Sequence, residues 1–445
     1  MTRTRRLALL IALLAVGTAS CGTGPPEHVR IGVVAPQSGT RAWLGQEVVA
    51  GAEMAVDDLN AAGGLLGSPV ELVVVDDADL TSMPGQLGDL AERARVSAVV
   101  GPEAPGVLVG PRSPLTRREV PALLPSAFGG ELGDASSYVA RIVPSARAQA
   151  ARLGTWLADV RDIDDVAILM ADPVEGALAR PDLEAGLAAG GVDTVAVVEA
   201  DGDAADLRPS VSALRRAAPD VGAVLLWGPP ASSARATTAV RDLDWDVQLA
   251  VPASSFVAEY RTLAGDAIEG VVAVFPFDAE WFRGDLVPWM VRYQVRFGLG
   301  LLPQLDTLVI DIPVVAVAAY DAVGLVGAAV EAADSRVPAE VADALATTDH
   351  DGLLRTYDLD GREAWGPDDL YVARFHELAL TFDVDPRLDP DEQREIWEAQ
   401  VTLDLFESGA PPAVQALIDR VLGENEGDPP DYTPPLPPPN PVGRP

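Results

Sequence analysis

Short apolar runs rich in β-branched residues alternate with amphipathic helical stretches from residue 28 onwards. His28–Val34 and Pro69–Val75 are predicted strands, and Gln46–Ala62 between them is a predicted helix. Leu72–Val75 is a continuous apolar run, which is typical of a strand covered on both faces of a parallel sheet. The alternation predicts an α/β fold built on a doubly wound parallel sheet.

The same alternation begins again after Pro144. Val96–Pro102 and Val221–Pro229 each run from a predicted strand into a Gly-Pro turn, so the two halves resemble each other locally. We therefore expect two doubly wound lobes. Ligands of open α/β sheets bind at the carboxyl ends of the strands, so facing loops of two lobes would form a cleft. The loops in this position are Ala35–Gly45, Gly101–Gly106, Pro125–Gly130, Ala171–Glu175, Trp227–Ser232 and Pro252–Ser255.

Residues 1–21 have the layout of an export signal, with three arginines before an apolar stretch. Ten apolar residues at 1.5 Å each would span about 15 Å, half of the hydrocarbon core of a bilayer. Small residues then lead into Cys21, the only cysteine. This arrangement resembles a bacterial lipobox, which implies a lipid anchor at Cys21; the alternative is a free thiol in an ordinary signal peptide. Residues 22–28 are expected to form a tether.

Composition excludes several kinds of chemistry. The chain has 67 acidic and 32 basic residues, a net charge of −35, and every basic residue is arginine. A chain without lysine has no P-loop lysine and no Schiff-base lysine. An acidic chain without basic runs is not expected to bind nucleic acid. The three histidines are far apart and the cysteine is single, so we expect no metal and no cofactor.

Six segments between residues 29 and 383 carry a family resemblance: Ile31–Gly39, Gly51–Gly64, Leu72–Asp77, Arg141–Ser145, Ala264–Gly270 and a late hairpin around Asp358–Gly361. They resemble the leucine/isoleucine/valine-binding protein family, the type I periplasmic solute-binding proteins of ABC transporters. The resemblance implies a two-lobed fold whose hinge closes on a small-molecule solute, and a membrane permease as partner.

The resemblance also implies that the lobes exchange segments of chain. Lobe 1 would comprise residues 29–143 and 277–348. Lobe 2 would comprise residues 144–276 and 349–383. Two further segments lie beyond the family pattern: a helical extension over residues 384–423 and a Pro-rich, solvated tail over residues 424–445. The extension either packs back on lobe 2 or provides a docking surface for a partner.

Relatives that bind amino acids hold the carboxylate with hydroxyl groups in lobe 1 and the ammonium with an acidic residue and a tyrosine in lobe 2. In lobe 1 the matching positions fall near Pro105 and at Ser126 and Phe128. In lobe 2 the acidic position falls at Ala253, and the tyrosine position near Pro230 or Trp227. Only Ser126 keeps a hydroxyl group. Because an unpaired buried charge costs several kcal/mol, a zwitterion would need carboxylates from other positions.

The cleft aromatics favour a flatter, more apolar solute held by stacking, although core packing explains them equally well. Glu103, Asp172 or Glu175 could supply a carboxylate from a shifted place. The candidate ligand-binding residues are Ser38, Trp43, Glu103, Ser126, Ala127, Phe128, Asp172, Trp227 and Ser254.

These observations predict an exported protein, lipid-anchored on the extracytoplasmic face of the membrane, that captures a small molecule such as an amino acid, an amide or another organic solute. It would deliver this solute to an ABC permease. The alternative is a ligand-sensing receptor domain on the same fold that signals to a partner protein. No nucleophile–base arrangement indicates an enzyme.

Overall fold

The computed structural model describes residues 28–38, 42–77, 82–102, 113–126, 138–171, 173–202, 204–255, 258–276, 286–297, 313–359, 363–376 and 379–382. The predicted signal (1–21), most of the tether (22–28), the helical extension (384–423) and the Pro-rich tail (424–445) lie outside the described residues.

Lobe 1 is built on a five-stranded sheet in the order β2-β1-β3-β4-β5, and every pairing within it is parallel. Strands β1, β3, β4 and β5 are buried. The Leu72–Val75 run predicted a strand covered on both faces, and this is wrong: β2 is an edge strand, and its Val74 is 43% exposed. The strands are β1 (Val29–Ala35), β2 (Val70–Asp76), β3 (Ala98–Val100), β4 (Ala122–Leu124) and β5 (Val139–Arg141). The helices between them are α1 (Ala42–Ala61), α2 (Met83–Asp89, continued by a π turn, Leu90–Ala94) and α3 (Pro114–Arg117).

Lobe 2 is built on a seven-stranded sheet in the order β14-β13-β10-β9-β8-β6-β7. The first five strands of this lobe, β6 to β10, pair in parallel. Strand β13 runs antiparallel to β10, and β14 runs antiparallel to β13. The strands are β6 (Asp165–Met170), β7 (Asp193–Glu199), β8 (Ala223–Trp227), β9 (Gln248–Val251), β10 (Val272–Pro276), β13 (Leu370–His376) and β14 (Ala379–Phe382). The helices are α4 (Ala146–Arg161), α5 (Pro173–Ala189), α6 (Arg208–Ala217), α7 (Pro230–Asp242) and α8 (Ala258–Ala264).

After β10 the chain returns to lobe 1. Arg292 of the next helix forms two hydrogen bonds with the carboxylate of Asp58 on α1, at 2.7 and 2.8 Å. The elements of this part are α9 (Leu286–Phe297), α10 (Val314–Ala333), α11 (Pro338–Leu345) and the small hairpin of β11 (His350–Asp351) and β12 (Thr356–Tyr357). That hairpin ends one residue before the Asp358–Gly361 motif, around which a hairpin was predicted.

Among the described residues, α10 is the helix long and apolar enough to cross a membrane. Most of it is buried against α1 in the core of lobe 1. At Gly51 of α1 the two helices approach so closely that an added Cβ would lie 1.9 Å from the carbonyl oxygen of Ala316. Its apolar composition is therefore that of a core helix.

The structure confirms the predicted α/β fold with parallel sheets in two lobes. Short apolar runs are strong signals, and the predicted strands His28–Val34 and Pro69–Val75 lie within one residue of β1 and β2 at both ends. Helix α1 begins at Ala42, four residues before the predicted start at Gln46.

Candidate functional site

The loop after β1 is held against the end of β2 at the carboxyl edge of the lobe 1 sheet. The Ser38 hydroxyl donates to Asp76 Oδ2 at 2.8 Å, and the backbone N–H of Gln37 donates to Asp76 Oδ1 at 2.9 Å. Ser38 is exposed. The structure thus places this candidate at the cleft edge, with its hydroxyl already bonded to Asp76.

The predicted Gly-Pro turn follows β3 on the same edge. Gly101 has a φ of +95°, and an added Cβ would lie 2.0 Å from the carbonyl oxygen of Val34 on β1. Only glycine fits such a position without backbone movement. Ser126, which follows β4, is 3% exposed. The lobe 1 edge is therefore closely packed at the turn after β3 and around Ser126, whereas Ser38 is exposed.

On the carboxyl edge of the lobe 2 sheet, Trp227 ends β8 and is 1% exposed within the hydrophobic core. Its indole Nε1 has no hydrogen-bond partner among the described residues. Ser254 is half-buried in a short 3₁₀ turn after β9. Trp227 is therefore packed in the core and carries one donor, its indole N–H, without a partner among the described residues. This fits both interpretations of the side chain, core packing and contact with a solute.

Small polar side chains of α7 fix the neighbouring lobe 2 loops. Ser232 donates to the carbonyl oxygen of Gly202 at 3.2 Å, and Ser233 donates to that of Gly228 at 3.0 Å. Arg235 also donates to the carbonyl oxygen of Gly202. These bonds hold two loops of the edge in place before any ligand binds, which reduces the entropic cost of binding.

Gln149 of α4 ties the entry of lobe 2 to the loop after β9. Its Nε2 donates to the carbonyl oxygen of Pro144 at 3.0 Å, and its Oε1 accepts from the N–H of Ala253 at 2.9 Å. Ala253 occupies the position that the resemblance assigns to the ammonium-binding acid. The structure therefore shows a methyl side chain and an occupied backbone donor at this position.

Arg141 links two segments of chain that run between the lobes, one at residues 141–142 and the other at residues 363–365. Its guanidinium is 1% exposed and lies 3.2 Å from Glu363 Oε1, while its carbonyl oxygen accepts from the N–H of Ala364 at 2.9 Å. The indole of Trp365 donates to the carbonyl oxygen of Ile142 at 2.8 Å. Burial lowers the pKa of Arg141, and the carboxylates of Glu363 and Asp182 oppose that change.

Two carboxyl groups from opposite lobes interact electrostatically: Glu47 on α1 and the exposed Glu259 on α8. Glu47 lies one turn beyond the candidate Trp43, and its Oε2 is shielded from solvent and has no hydrogen-bond partner among the described residues. Burial raises the pKa of Glu47 to about 8, and the charge of Glu259 adds to the rise. Neither residue was predicted from the sequence as a site residue. Glu47 follows the candidate Trp43 by four residues, one turn of helix, and this spacing is the signal that could have found it.

The remaining predicted residues are placed only in part. Trp43 belongs to the first turn of α1, but its side chain is not among the described positions. Cys21, Glu103, Ala127, Phe128 and Asp172 lie outside the described residues. Within the described ranges, no group of three or more His, Cys, Asp and Glu side chains could hold a metal ion.

A cavity of about 950 Å³ lies on lobe 1, between α1, α9, α10 and the β11–β12 hairpin. Its charged groups are already paired: Asp58 accepts from Arg292 and from the Tyr320 hydroxyl at 2.8 Å, and Glu331 accepts from the N–H of Leu66 at 2.7 Å. The cavity is not formed by strand ends, so it does not coincide with the predicted cleft.

Comparison with known proteins gives the family. The model of the periplasmic binding protein family matches residues 28–377. A Leu/Ile/Val-binding protein of Rhizobium johnstonii is 33% identical over 125 residues, which are 28% of this chain and 34% of that relative. The match thus spans about one third of that relative. A leucine-, isoleucine-, valine-, threonine- and alanine-binding protein of Pseudomonas aeruginosa is 23% identical over 77% of this chain and 88% of its own length.

Solved structures show the same fold. A branched-chain amino acid transporter substrate-binding protein of Streptococcus pneumoniae, in complex with isoleucine, superposes with a TM-score of 0.66 at 20% identity, over 80% of this chain and 98% of the other. A solute-binding protein of R. palustris in complex with benzoate gives 0.65 at 15% identity, over 80% and 96%. With the family model covering well over half of its length, the chain belongs to the periplasmic binding protein family.

Proposed function

We propose that this chain is an extracytoplasmic solute-binding protein that captures a small molecule between its two lobes and delivers it to an ABC permease. The observation that carries the proposal is the pair of carboxyl edges, one per lobe, built from parallel strand ends and preformed loops. Edges of this kind collect ligands in open α/β folds. Family membership supports capture of a solute, since relatives are named for the amino acids that they bind.

The chemistry of the edges favours an amino acid, an amide or a related organic solute. Ser38, Ser126 and Ser254 offer hydroxyl groups, and Trp227 offers a buried indole donor. Ala253 supplies no charge where the resemblance expects an acid. A structurally similar protein binds benzoate, which has no ammonium group. We therefore expect a solute without a strict requirement for an α-ammonium group.

A binding screen tests this function. Isoleucine, leucine, valine, threonine, alanine and benzoate are titrated against the full chain, and the thermal midpoint and heat of binding are recorded. A true solute at one hundred times its Kd stabilises the folded protein by about 2.7 kcal/mol. The matched variant Ser126→Tyr places a bulky side chain after β4 and should abolish binding, whereas Glu340→Gln, at an exposed position of α11, should not change it. Solute binding that persists in Ser126→Tyr would contradict the cleft as the site.

The cellular location is part of the proposal and needs its own experiment. Export followed by lipidation of Cys21 would anchor the chain on the outer face of the membrane. A Cys21→Ser variant should then move from the membrane fraction to the soluble extracytoplasmic fraction. A variant that stays with the membrane would contradict the lipid anchor and leave solute capture untouched.

A further inference from the structure

The cavity of about 950 Å³ on lobe 1, called here the side cavity, has the dimensions of a small-molecule site. Ligand pockets measure about 300–1,000 Å³ and have mostly apolar walls with a few polar groups. Apolar side chains of α1 and α9 line this one, among them Leu59, Leu286 and Pro288. None of its lining residues belongs to the strand-end loops of the cleft. It is therefore a candidate for a second site with its own ligand.

His350 of β11 supplies one polar group of the side cavity. An added Cβ at Gly324 would lie 2.5 Å from its Nε2, so the ring packs directly against the backbone of α10. The ring forms no hydrogen bond with another described residue. Burial lowers the pKa of His350 and the charge of Asp351 opposes this change. The imidazole is therefore neutral at pH 7, with one donor and one acceptor to offer.

Trp289 of α9 supplies a second polar group. Its ring stacks on Tyr293, with centroids 5.2 Å apart, and meets the edge of Tyr320 at 5.6 Å. These contacts fix the indole, which is 1% exposed and whose N–H has no acceptor among the described residues. Buried polar groups nearly always have hydrogen-bond partners. An unpaired N–H in the lining of a cavity therefore indicates an acceptor that a ligand provides.

The charged side chains that line the side cavity are, by contrast, already paired. Asp351 accepts from the Thr356 hydroxyl at 2.8 Å, and Arg355 lies 3.1 Å from Asp369 Oδ2. The other pairs are those described above, Asp58 with Arg292 and Glu331 with the N–H of Leu66. A charged ligand would have to break these pairs or stay unpaired, and both are unfavourable. The groups left for a ligand are neutral, so a neutral ligand fits them best.

We propose that the side cavity binds a second small molecule, an uncharged and largely apolar compound that carries a hydroxyl or carboxamide group. Its apolar part packs on the side chains of α1 and α9. Its oxygen accepts from the Trp289 indole, and the His350 ring forms a further hydrogen bond. This inference does not rest on the proposed function, because all four elements around the cavity belong to lobe 1 and no closure of the cleft is needed.

Benzamide is the probe, because it is uncharged and carries both a carbonyl oxygen and amide N–H groups. Benzoate has the same shape with a negative charge and serves as the matched comparison. The full chain is prepared with isotope-labelled tryptophan, and Trp289→Phe and Trp227→Phe assign the two indole N–H resonances. Benzamide should shift the Trp289 resonance. Benzoate should act on it at least about tenfold more weakly, because its charge would be buried without a partner.

Matched variants on α10 place the probe in the side cavity. Ala328 lines the cavity, and Ala332 is exposed one turn further along and does not line it. Ala328→Phe fills the space and should abolish the shift of Trp289, whereas Ala332→Phe should leave it unchanged. Ser126→Tyr, which is directed at the cleft, should also leave it unchanged. Calorimetry on Trp289→Phe should show benzamide affinity reduced about threefold to tenfold, since one hydrogen bond is lost.

Two results would overturn the inference: a Trp289 resonance that does not move at millimolar benzamide, or a shift that persists in Ala328→Phe. If Ala328→Phe fails to fold, as checked by circular dichroism, His350→Phe serves instead. It removes both ring nitrogens and should also weaken benzamide binding about threefold to tenfold.

The Trp227 resonance, at the lobe 2 edge, separates this inference from the proposed function. If benzamide shifts Trp289 while no solute shifts Trp227, solute capture in the cleft fails and the second site stands. If benzamide shifts Trp227 alone, the second site fails and capture in the cleft stands.

Discussion

Two shielded carboxyl groups in this protein, those of Asp321 and Glu47, differ in their hydrogen bonds. Asp321, on α10, is 0% exposed and accepts hydrogen bonds from the N–H groups of Leu353 and Leu354, at 2.7 and 3.0 Å, and from the Tyr357 hydroxyl at 3.0 Å. Glu47 has no such donor among the described residues. Asp321 thereby links the β11–β12 hairpin to the core helix of lobe 1, whereas Glu47 forms no such link between elements among the described residues.

The difference shows how donors and burial compete. Burial raises the pKa of Asp321 to about 7, although its three donors act in the opposite direction. Burial raises the pKa of Glu47 to about 8 with no donor to oppose it. A carboxyl group that accepts hydrogen bonds from its neighbours has a structural role in both its ionised and its protonated form. A carboxyl group without partners can only lose by ionising, and this makes Glu47 suited to respond to pH.

Removing the better-connected carboxyl should have the largest effect. Asp321→Ala leaves two backbone N–H groups and one hydroxyl without an acceptor in the core. We expect the free energy of unfolding to fall by about 3–5 kcal/mol. Urea denaturation followed by circular dichroism measures it. Asp321→Asn keeps one acceptor oxygen and should lose roughly half as much; equal losses in both variants would contradict the role of the three donors.

The pH dependence of stability should be the next largest effect. A carboxyl group whose folded-state pKa is raised favours folding at low pH, and this contribution is lost as the pH rises through the folded-state value. For Asp321 the window runs from about 3.8 to about 7. We expect the free energy of unfolding to fall by about 2–4 kcal/mol across it. Urea melts at pH 4.5, 6 and 7.5 measure the slope. Asp321→Asn should reduce the slope without abolishing it, because the raised pKa of Glu47 contributes over an overlapping window; an unchanged slope would show that Asp321 is not among the groups that cause it.

The comparison also marks what the sequence could predict. The strands and most helices followed from periodic apolar runs, because burial of one face repeats at a fixed spacing along the chain. The two lobes followed from the restart after Pro144. The first residues of α1 were missed, and the first turn of this helix carries no acidic residue to mark its start.

The site was less predictable than the fold. Placement of Ser38, Ser126, Trp227 and Ser254 at strand ends followed from the pattern, but their contacts did not. Neither the bonds of Asp321 to residues 353–357 nor the electrostatic interaction of Glu47 with Glu259 has a local signature, because the partners are far apart in sequence. Such pairs depend on how whole elements and lobes pack together, and a single sequence does not encode that in any short window.

Replacing Glu47, the carboxyl group without hydrogen-bond partners among the described residues, should raise the free energy of unfolding, whereas the loss of Asp321 lowers it. Glu47→Gln removes a shielded charge. We expect the free energy of unfolding to rise by about 2 kcal/mol at pH 8.5 and to change little at pH 5, where Glu47 is already protonated. Thermal and urea melts at both pH values measure it. Destabilisation at pH 8.5 would mean that the Glu47 carboxylate has a stabilising role that the structure does not show.

The smallest effect should come from losing the exposed hydrogen bond between Ser38 and Asp76. Ser38→Ala removes the hydroxyl that donates to Asp76, while the N–H of Gln37 still bonds the other carboxylate oxygen. Because both groups are exposed, water replaces the lost bond, and stability should fall by only about 0.5 kcal/mol. Solute affinity measured by calorimetry on the same variant decides the role of Ser38. An affinity loss well beyond the stability loss would make Ser38 a ligand contact, whereas equal and small losses would leave it as a brace for the loop after β1.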